Sequence, residues 1–239
     1  PDEIDDDDQR CLWLAYAAYH ARDFKKALDT YTMMAERGSQ DPMLPLYQAC
    51  CHLAMREPAE AEGHAERAPA CALRSRLLFQ SAHRQADEDK LMAHHQTLED
   101  TTYDQLTLAS VHFLRSHYQE ATDVYKKVLL ENREYLALNV SIALCYYKLD
   151  YFDVSLEILS SYLHAYPDSA TALNIRACNQ YRLYDGKAAE AELAPITKEA
   201  SSIDKIDNDL VRHNLVIFQD GERALQVLPA LVGKVPEAR

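Results

Sequence analysis

Three short clusters in this sequence have the residue types for chemistry: the acidic run Asp5-Asp6-Asp7-Asp8, the triplet Cys50-Cys51-His52 and the pair His94-His95. Four carboxylates could hold a divalent cation, but a calcium loop spaces its oxygens at alternating positions and includes a turn glycine. The run has neither feature. Its spacing fits a solvated charge run or the acidic first turn of a helix, where carboxylates complement the helix dipole. Adjacent residues on a helix point about 100° apart, so neighbouring Cys and His side chains cannot chelate one ion together. The C-x-x-C and H-x-x-x-H spacings of zinc sites are absent. So are a Gly-rich phosphate loop and a G-x-S-x-G elbow, and no motif pairs a cysteine with a base. No catalytic, cofactor-binding or metal-binding residue is assigned, and the chain is read as not an enzyme.

Bulk properties narrow the field further. No apolar run in the 239 residues approaches the roughly 18 to 20 that a membrane-spanning helix needs, so membrane insertion is not expected. The sequence opens Pro1-Asp2-Glu3-Ile4, without a secretory signal. All six cysteines sit in apolar-periodic stretches, where a thiol acts as a small hydrophobe, which points to a reducing, cytoplasmic setting. A formal charge of −13 lacks the clustered Lys and Arg that neutralise phosphates, and excludes nucleic acid as a partner.

The elements that must carry any function are helices. Only five glycines occur, and small and aromatic residues recur three and four apart in Cys11 to Tyr19 and in Asn139 to Tyr147. Arg22-Asp23-Phe24-Lys25-Lys26-Ala27 and Ser116-His117-Tyr118-Gln119-Glu120-Ala121 share a polar turn, an aromatic, two polar residues and an alanine. Taking the residue that opens each second helix as an anchor gives Ala27, Ala61, Leu91, Ala121, Val154, Ala189 and Ala224, spaced by 34, 30, 30, 33, 35 and 35. That is the period of tetratricopeptide repeats, in which two helices and two turns fill about 34 positions. The predicted fold is all-α, a right-handed α-solenoid of about seven helix pairs. Residues 1–10 are expected to form an acidic tail or helix start, and residues 11–239 the solenoid.

Twelve residues before each anchor the repeat wants a small side chain. Ala15, Ala49, Ala109 and Ala177 supply it; Phe79, Ile142 and Arg212 do not, which marks units three, five and seven as degenerate. The large ring wanted four after the anchor is supplied by Tyr31 and Tyr125. Pro42, Pro167 and Pro236 fall where connections begin.

Eight residues before the anchor, on the first helix of each pair, stand Tyr19, Leu53, His83, Phe113, Tyr146, Tyr181 and Val216. In similar folds this face lines the inner groove. Tyr19, Phe113, Tyr146 and Tyr181 are therefore candidate partner-binding rings, weighed against packing between successive first helices.

Four passages go beyond the generic repeat: Ser116 to Ala121, Asn132-Arg133-Glu134-Tyr135-Leu136 through Lys148-Leu149-Asp150-Tyr151, Arg176-Ala177-Cys178-Asn179, and Arg212-His213-Asn214-Leu215-Val216 with Ala224-Leu225-Gln226-Val227-Leu228-Pro229. In these words the chain resembles the intraflagellar transport protein fifty-six family, also called tetratricopeptide-repeat protein twenty-six, from about Cys11 to Arg239. The resemblance implies a non-enzymatic scaffold subunit of transport complex B. Its implied partners are other complex B subunits and motility-related ciliary cargo, and its implied place is the cilium, basal body and cytoplasm. It also implies a longer natural chain. The competing expectation is an adaptor of the chaperone-cofactor type, whose tail clamp needs Lys and Asn where this chain has Leu12, Tyr16, Leu106, Ser110, Asn139 and Ala143.

Overall fold

The computed structural model of the chain describes residues 6–198, 203 and 206–235. Asp5 and Pro236 lie outside the described residues. Among those described, the chain is helical with no strand. It divides into two compact units, residues 1–107 and 108–239. The first holds α1 (Asp6–His20), α2 (Phe24–Glu36), α3 (Leu44–Ala54), α4 (Pro58–Glu66), α5 (Ala72–Gln85), α6 (Glu88–His95) and the start of α7 (Thr102–Leu114). The second holds the rest of α7, then α8 (Tyr118–Glu131), α9 (Leu138–Lys148), α10 (Phe152–Ala165), α11 (Ala170–Leu183), α12 (Gly186–Thr197), α13 (Asp209–Phe218) and α14 (Ala224–Val227). The chain is an α-solenoid of helix pairs: among the described residues, six are complete, and a seventh has as its second member one α turn followed by a 3-10 turn at Leu228–Leu231.

One device makes most of the turns within a pair. Arg22, Arg56, Ala86, Ser116, Asp150 and Asp220 all take positive φ, between 53° and 67°. In each case the next residue's amide reaches back to a carbonyl five residues earlier: Asp23 N to Ala18 O at 2.9 Å, Tyr151 N to Tyr146 O at 2.9 Å, and likewise at Glu57, Asp87, His117 and Gly221. This left-handed cap satisfies carbonyls orphaned at the helix end and sends the chain back antiparallel. The α11–α12 turn is the exception, with Tyr184 at φ −131° and the Asp185 carboxylate accepting from Ala188 N at 2.8 Å.

In most pairs the helices cross at small residues. Ala15 with Ala27, Ala49 with Ala61, Ala109 with Ala121 and Ala177 with Ala189 are all fully buried. The fifth pair corrects the sequence register. Val154 is 40% exposed, whereas Ser155 is fully buried, as is Ala143 twelve residues before it. Ser155 is the anchor, Ala121, Ser155 and Ala189 stand 34 apart, and unit five is regular. Asp150, the left-handed residue five before Ser155, keeps the same offset as Arg22 from Ala27 and Ser116 from Ala121. Unit three does depart, crossing at the larger Phe79 and Leu91. In unit seven Ala224 is only half-buried, because Asp220 and Gly221 both take positive φ and delay the second helix.

Within the first unit the core runs through Ala15, Ala27, Tyr31, Met34 and Cys51, then through Leu46, Ala61, Ala65 and Leu77. The second unit has one continuous core around Leu159, Leu173, Leu193, Val211 and Leu231. A repeat array stabilises itself this way, each hairpin covering the apolar face that its neighbour cannot bury alone.

Candidate partner-binding surface

The rings proposed for the first-helix face are built into the hairpins. Tyr19 packs edge-on against Phe24, ring centroids 5.3 Å apart, and Phe113 against Tyr118 at 5.2 Å. In both, a ring eight before the anchor meets a ring three before it, across the turn. The register correction moves the matching place in the fifth pair from Tyr146 to Tyr147, and Tyr147 indeed meets Phe152 at 5.7 Å. Tyr146 lies one step round α9. Its hydroxyl accepts from Lys126 Nζ at 2.6 Å, the ammonium sits 5.1 Å from its ring centre, and Tyr151 flanks it at 6.3 Å.

Tyr181 has no such ring across its turn because Gly186 stands there. It packs instead against Phe218 at 5.2 Å. Only glycine fits, since a Cβ at position 186 would lie 1.9 Å from the Phe218 carbonyl oxygen. All four candidate rings and Tyr147 are half-buried. Burial, reinforced by Cys50 and Cys51, pushes the Tyr19 hydroxyl pKa up. Burial does the same for Tyr147, partly offset by its hydrogen bond with Arg182. Tyr19, Phe113, Tyr146 and Tyr147 thus have one edge engaged with a ring of their own hairpin, and Tyr181 with Phe218 of the next, while each is only half-buried.

In the second unit this face carries more than rings. Beside Tyr147, the Arg182 guanidinium pairs with Asp150 at 3.1 Å and lies 5.0 Å over the Phe152 ring. Asn214 Nδ2 donates to Asn174 Oδ1 at 2.9 Å and to Cys178 Sγ at 3.5 Å, linking α13 to α11. Leu210 and Ile217 on α13 are exposed, and so is Lys148 at the end of α9. The strip therefore alternates apolar and amide groups with a cationic edge. Such a surface grips side chains by packing and a few directed hydrogen bonds. Sequence reasoning missed Tyr147, Asn174 and Asn214. The signal for Tyr147 was present in Phe152-Asp153-Val154-Ser155, which repeats the ring-x-x-small spacing of Phe24 to Ala27.

The chemistry-bearing clusters serve other ends. Asp6–Asp8 open α1, where Asp7 pairs with Arg37 at 3.1 Å and Asp8 accepts from Ser39 Oγ. Burial drives the Cys50 thiol up to about 11 and the Cys51 thiol to about 12, so neither is a thiolate at neutral pH. His52 bonds Glu57 at 2.7 Å and stacks on His64 at 5.0 Å. His94 and His95 part company: His95 packs on Phe79, while His94 acts on Glu62. Glu62, held between Gln85 at 2.7 Å and Lys90 at 2.6 Å, has its carboxyl pKa lowered by that lysine. Among the described residues, no three His, Cys, Asp or Glu side chains gather as a metal site would require. No described helix is long and apolar enough to cross a membrane.

Comparison with known proteins gives these features a family. The family described as intraflagellar transport protein 56 matches residues 11–239. This chain belongs to the intraflagellar transport protein 56 family. A Caenorhabditis elegans relative, named intraflagellar transport protein 56 homolog, is 34% identical over 251 residues, covering 98% of this chain and 44% of its own length. The chain thus spans less than half the length of that relative. Among solved structures, a tetratricopeptide repeat protein from Parabacteroides merdae superposes with a TM-score of 0.63 at 13% identity, covering 91% of this chain and 89% of its own. The APC/C hetero-tetramer Cut9-Hcn1 does so with a TM-score of 0.60 at 15% identity, over 86% of this chain and 42% of the other. At those identities the two structures establish the tetratricopeptide fold alone, while membership of the intraflagellar transport protein 56 family rests on sequence.

Proposed function

We propose that this chain is a non-enzymatic scaffold of the intraflagellar transport machinery, holding other complex B subunits and ciliary cargo on the first-helix face of its repeats. Family membership supports the transport role and the ciliary location, with the basal body and cytoplasm as the places where such a subunit assembles. The repeat fold supports protein binding without catalysis. The observation that carries the choice of face is that in the second unit half-buried Tyr147 and Tyr181 stand on α9 and α11, with exposed Lys148 following Tyr147 and exposed Leu210 and Ile217 on the next first helix, α13, whose Phe218 packs on Tyr181. Tyr19 and Phe113 extend the same chemistry to other repeats, and Tyr146 adds a ring already tied to Lys126. Rings held by their hairpins lose little entropy on binding, which is why such residues dominate interfaces.

The chaperone-tail reading loses support from the corrected register. Its clamp positions in the fifth pair fall on Val140 and Leu144, and in the sixth on Asn174 and Cys178; no lysine stands at these four places, and the single asparagine, Asn174, is bonded to Asn214 at 2.9 Å. Arg76, which stands at one such place in the first unit, is already paired with buried Asp104 at 3.0 Å. Mixing the chain with recombinant complex B subunits, and separately with a chaperone C-terminal peptide, tests the proposal. Association with a complex B subunit alone supports it; binding only the peptide would overturn it.

A further inference from the structure

A comparison of equivalent helix positions singles out the outer face of α1. On the first helix of a pair, the residues thirteen and ten before the anchor face the second helix of the preceding pair. In α3 these are Gln48 and Cys51, in α5 Leu78 and Ser81, and in α9 Ile142 and Cys145, all buried. In α11 Asn179 is fully buried, whereas Arg176 is half-buried and pairs with Glu192 on α12 of its own hairpin. The covering contacts are specific. Gln48 Nε2 donates to Thr32 on α2 at 3.2 Å, the Thr122 side chain of α8 bonds Cys145, and Asn179 Nδ2 donates to the anchor hydroxyl Ser155 on α10 at 3.0 Å.

In α1 the same two places hold Leu14 and Ala17, and both are exposed, Leu14 to 50%. Next to them Trp13 is 65% exposed. Its counterpart in α3 is Tyr47, whose ring packs on Tyr31 of the preceding helix at 5.3 Å. Leu14 and Met33 also line an open groove of about 460 Å³ between α1 and α2, edged by Asp23, Lys25, Lys26 and Asp29. A terminal repeat needs a polar outer face to stay soluble. This one presents a tryptophan, a leucine and an alanine at sites that α3, α5 and α9 keep buried.

We infer that the outer face of α1 is a stacking site for the second helix of a further repeat, supplied by the same polypeptide from a segment that precedes Pro1 in the natural chain. Two observations favour that occupant. The positions concerned are buried in α3 and α5 and against specific contacts of the same chain in α9 and at Asn179 of α11, and more than half of the Caenorhabditis elegans relative's length lies outside the match. The incoming helix should set a small residue against Ala17, as Ser155 does against Asn179, and a ring or long side chain against Trp13, as Tyr31 does against Tyr47. The inference is independent of which subunit or cargo the scaffold binds.

Thiol reactivity tests it. Leu14→Cys and Ala17→Cys, made singly in the 239-residue chain and in the natural full-length protein, are exposed to a soluble maleimide, and labelling is located by peptide mass spectrometry. Circular dichroism confirms that each variant keeps its helicity. The expected result is fast labelling in the 239-residue chain and labelling slowed about tenfold or more in the full-length protein, as local opening limits a covered site. Equal rates in the two proteins would overturn the inference. So would protection of the 239-residue chain that disappears on dilution, which would assign the face to a second copy, or protection of the full-length protein only when a complex B subunit is added.

Discussion

The Ser155 hydroxyl donates to the Ala143 carbonyl at 2.8 Å and accepts from Asn179 Nδ2 at 3.0 Å, so one buried oxygen ties α10 to α9 and to α11. Enlarging that residue must overpack a crossing with no free space. Ser155→Leu is expected to destabilise the chain by about 1 to 3 kcal/mol. Val154→Ala, at an exposed position, should fall within about 0.5 kcal/mol. Urea denaturation of both variants checks the register, and a larger loss for Val154→Ala would restore Val154 as the anchor.

Gly186 is fixed by contact and not by its dihedral angles. A methyl group there would lie 1.9 Å from the Phe218 carbonyl, which is backbone and cannot rotate aside. Gly186→Ala should therefore separate α12 from α13 and cost about 1 to 3 kcal/mol. A thermal melt equal to that of the unmodified chain would show that the turn moves aside freely.

Ala86 ends α5 at φ 57°, a conformation in which a Cβ is strained by about 1 to 2 kcal/mol. Ala86→Gly removes the strain and gives back part of the gain through the freer unfolded chain. A net rise of about 0.5 to 1 kcal/mol in unfolding free energy is expected. A fall would mean that the turn gains more from alanine's stiffness than it loses to strain.

Much of the fold was legible in the sequence because close helix crossings demand small residues at a fixed interval. Ala15 with Ala27 and Ala177 with Ala189 announce their hairpins without help. The miss at Val154 came from ranking an apolar side chain above a hydroxyl: Ser155 looks like a surface residue until its two buried partners are known. The left-handed turns were invisible, since Arg22, Arg56 and Ala86 carry none of the glycine that usually marks them. The candidate face was half legible. Spacing located a row of rings, but not that Tyr19 and Phe113 lean on a second ring across the turn while Tyr181 leans on Phe218, because that depends on side-chain direction. The Asn174 and Asn214 bond joins residues 40 apart, beyond the reach of any local pattern.

His64, stacked on His52, makes stability depend on pH. Burial, then Arg67 and His52, lower the His64 pKa from its ordinary value of 6.5, and its Nδ1 is buried without a partner. The unfolded chain therefore binds the proton more readily than the folded one. Stability conferred by neutral His64 is present above the unfolded pKa and declines as pH falls below it. The melting temperature should drop between pH 7.5 and 5.5, and His64→Gln should lessen the drop. An identical pH dependence in the variant would assign the effect to the carboxylates instead.

The scaffold reading meets its most direct test in the affinity of the chain for recombinant complex B subunits, measured by titration calorimetry with variants of the first-helix face. Tyr147→Ala and Tyr181→Ala should each weaken binding by about 1 kcal/mol or more. Lys148→Glu, which alters an exposed charge and leaves the core intact, should weaken it without lowering the melting temperature. Unchanged affinity in all three variants, each still folded, would contradict the account and remove this face from the interface.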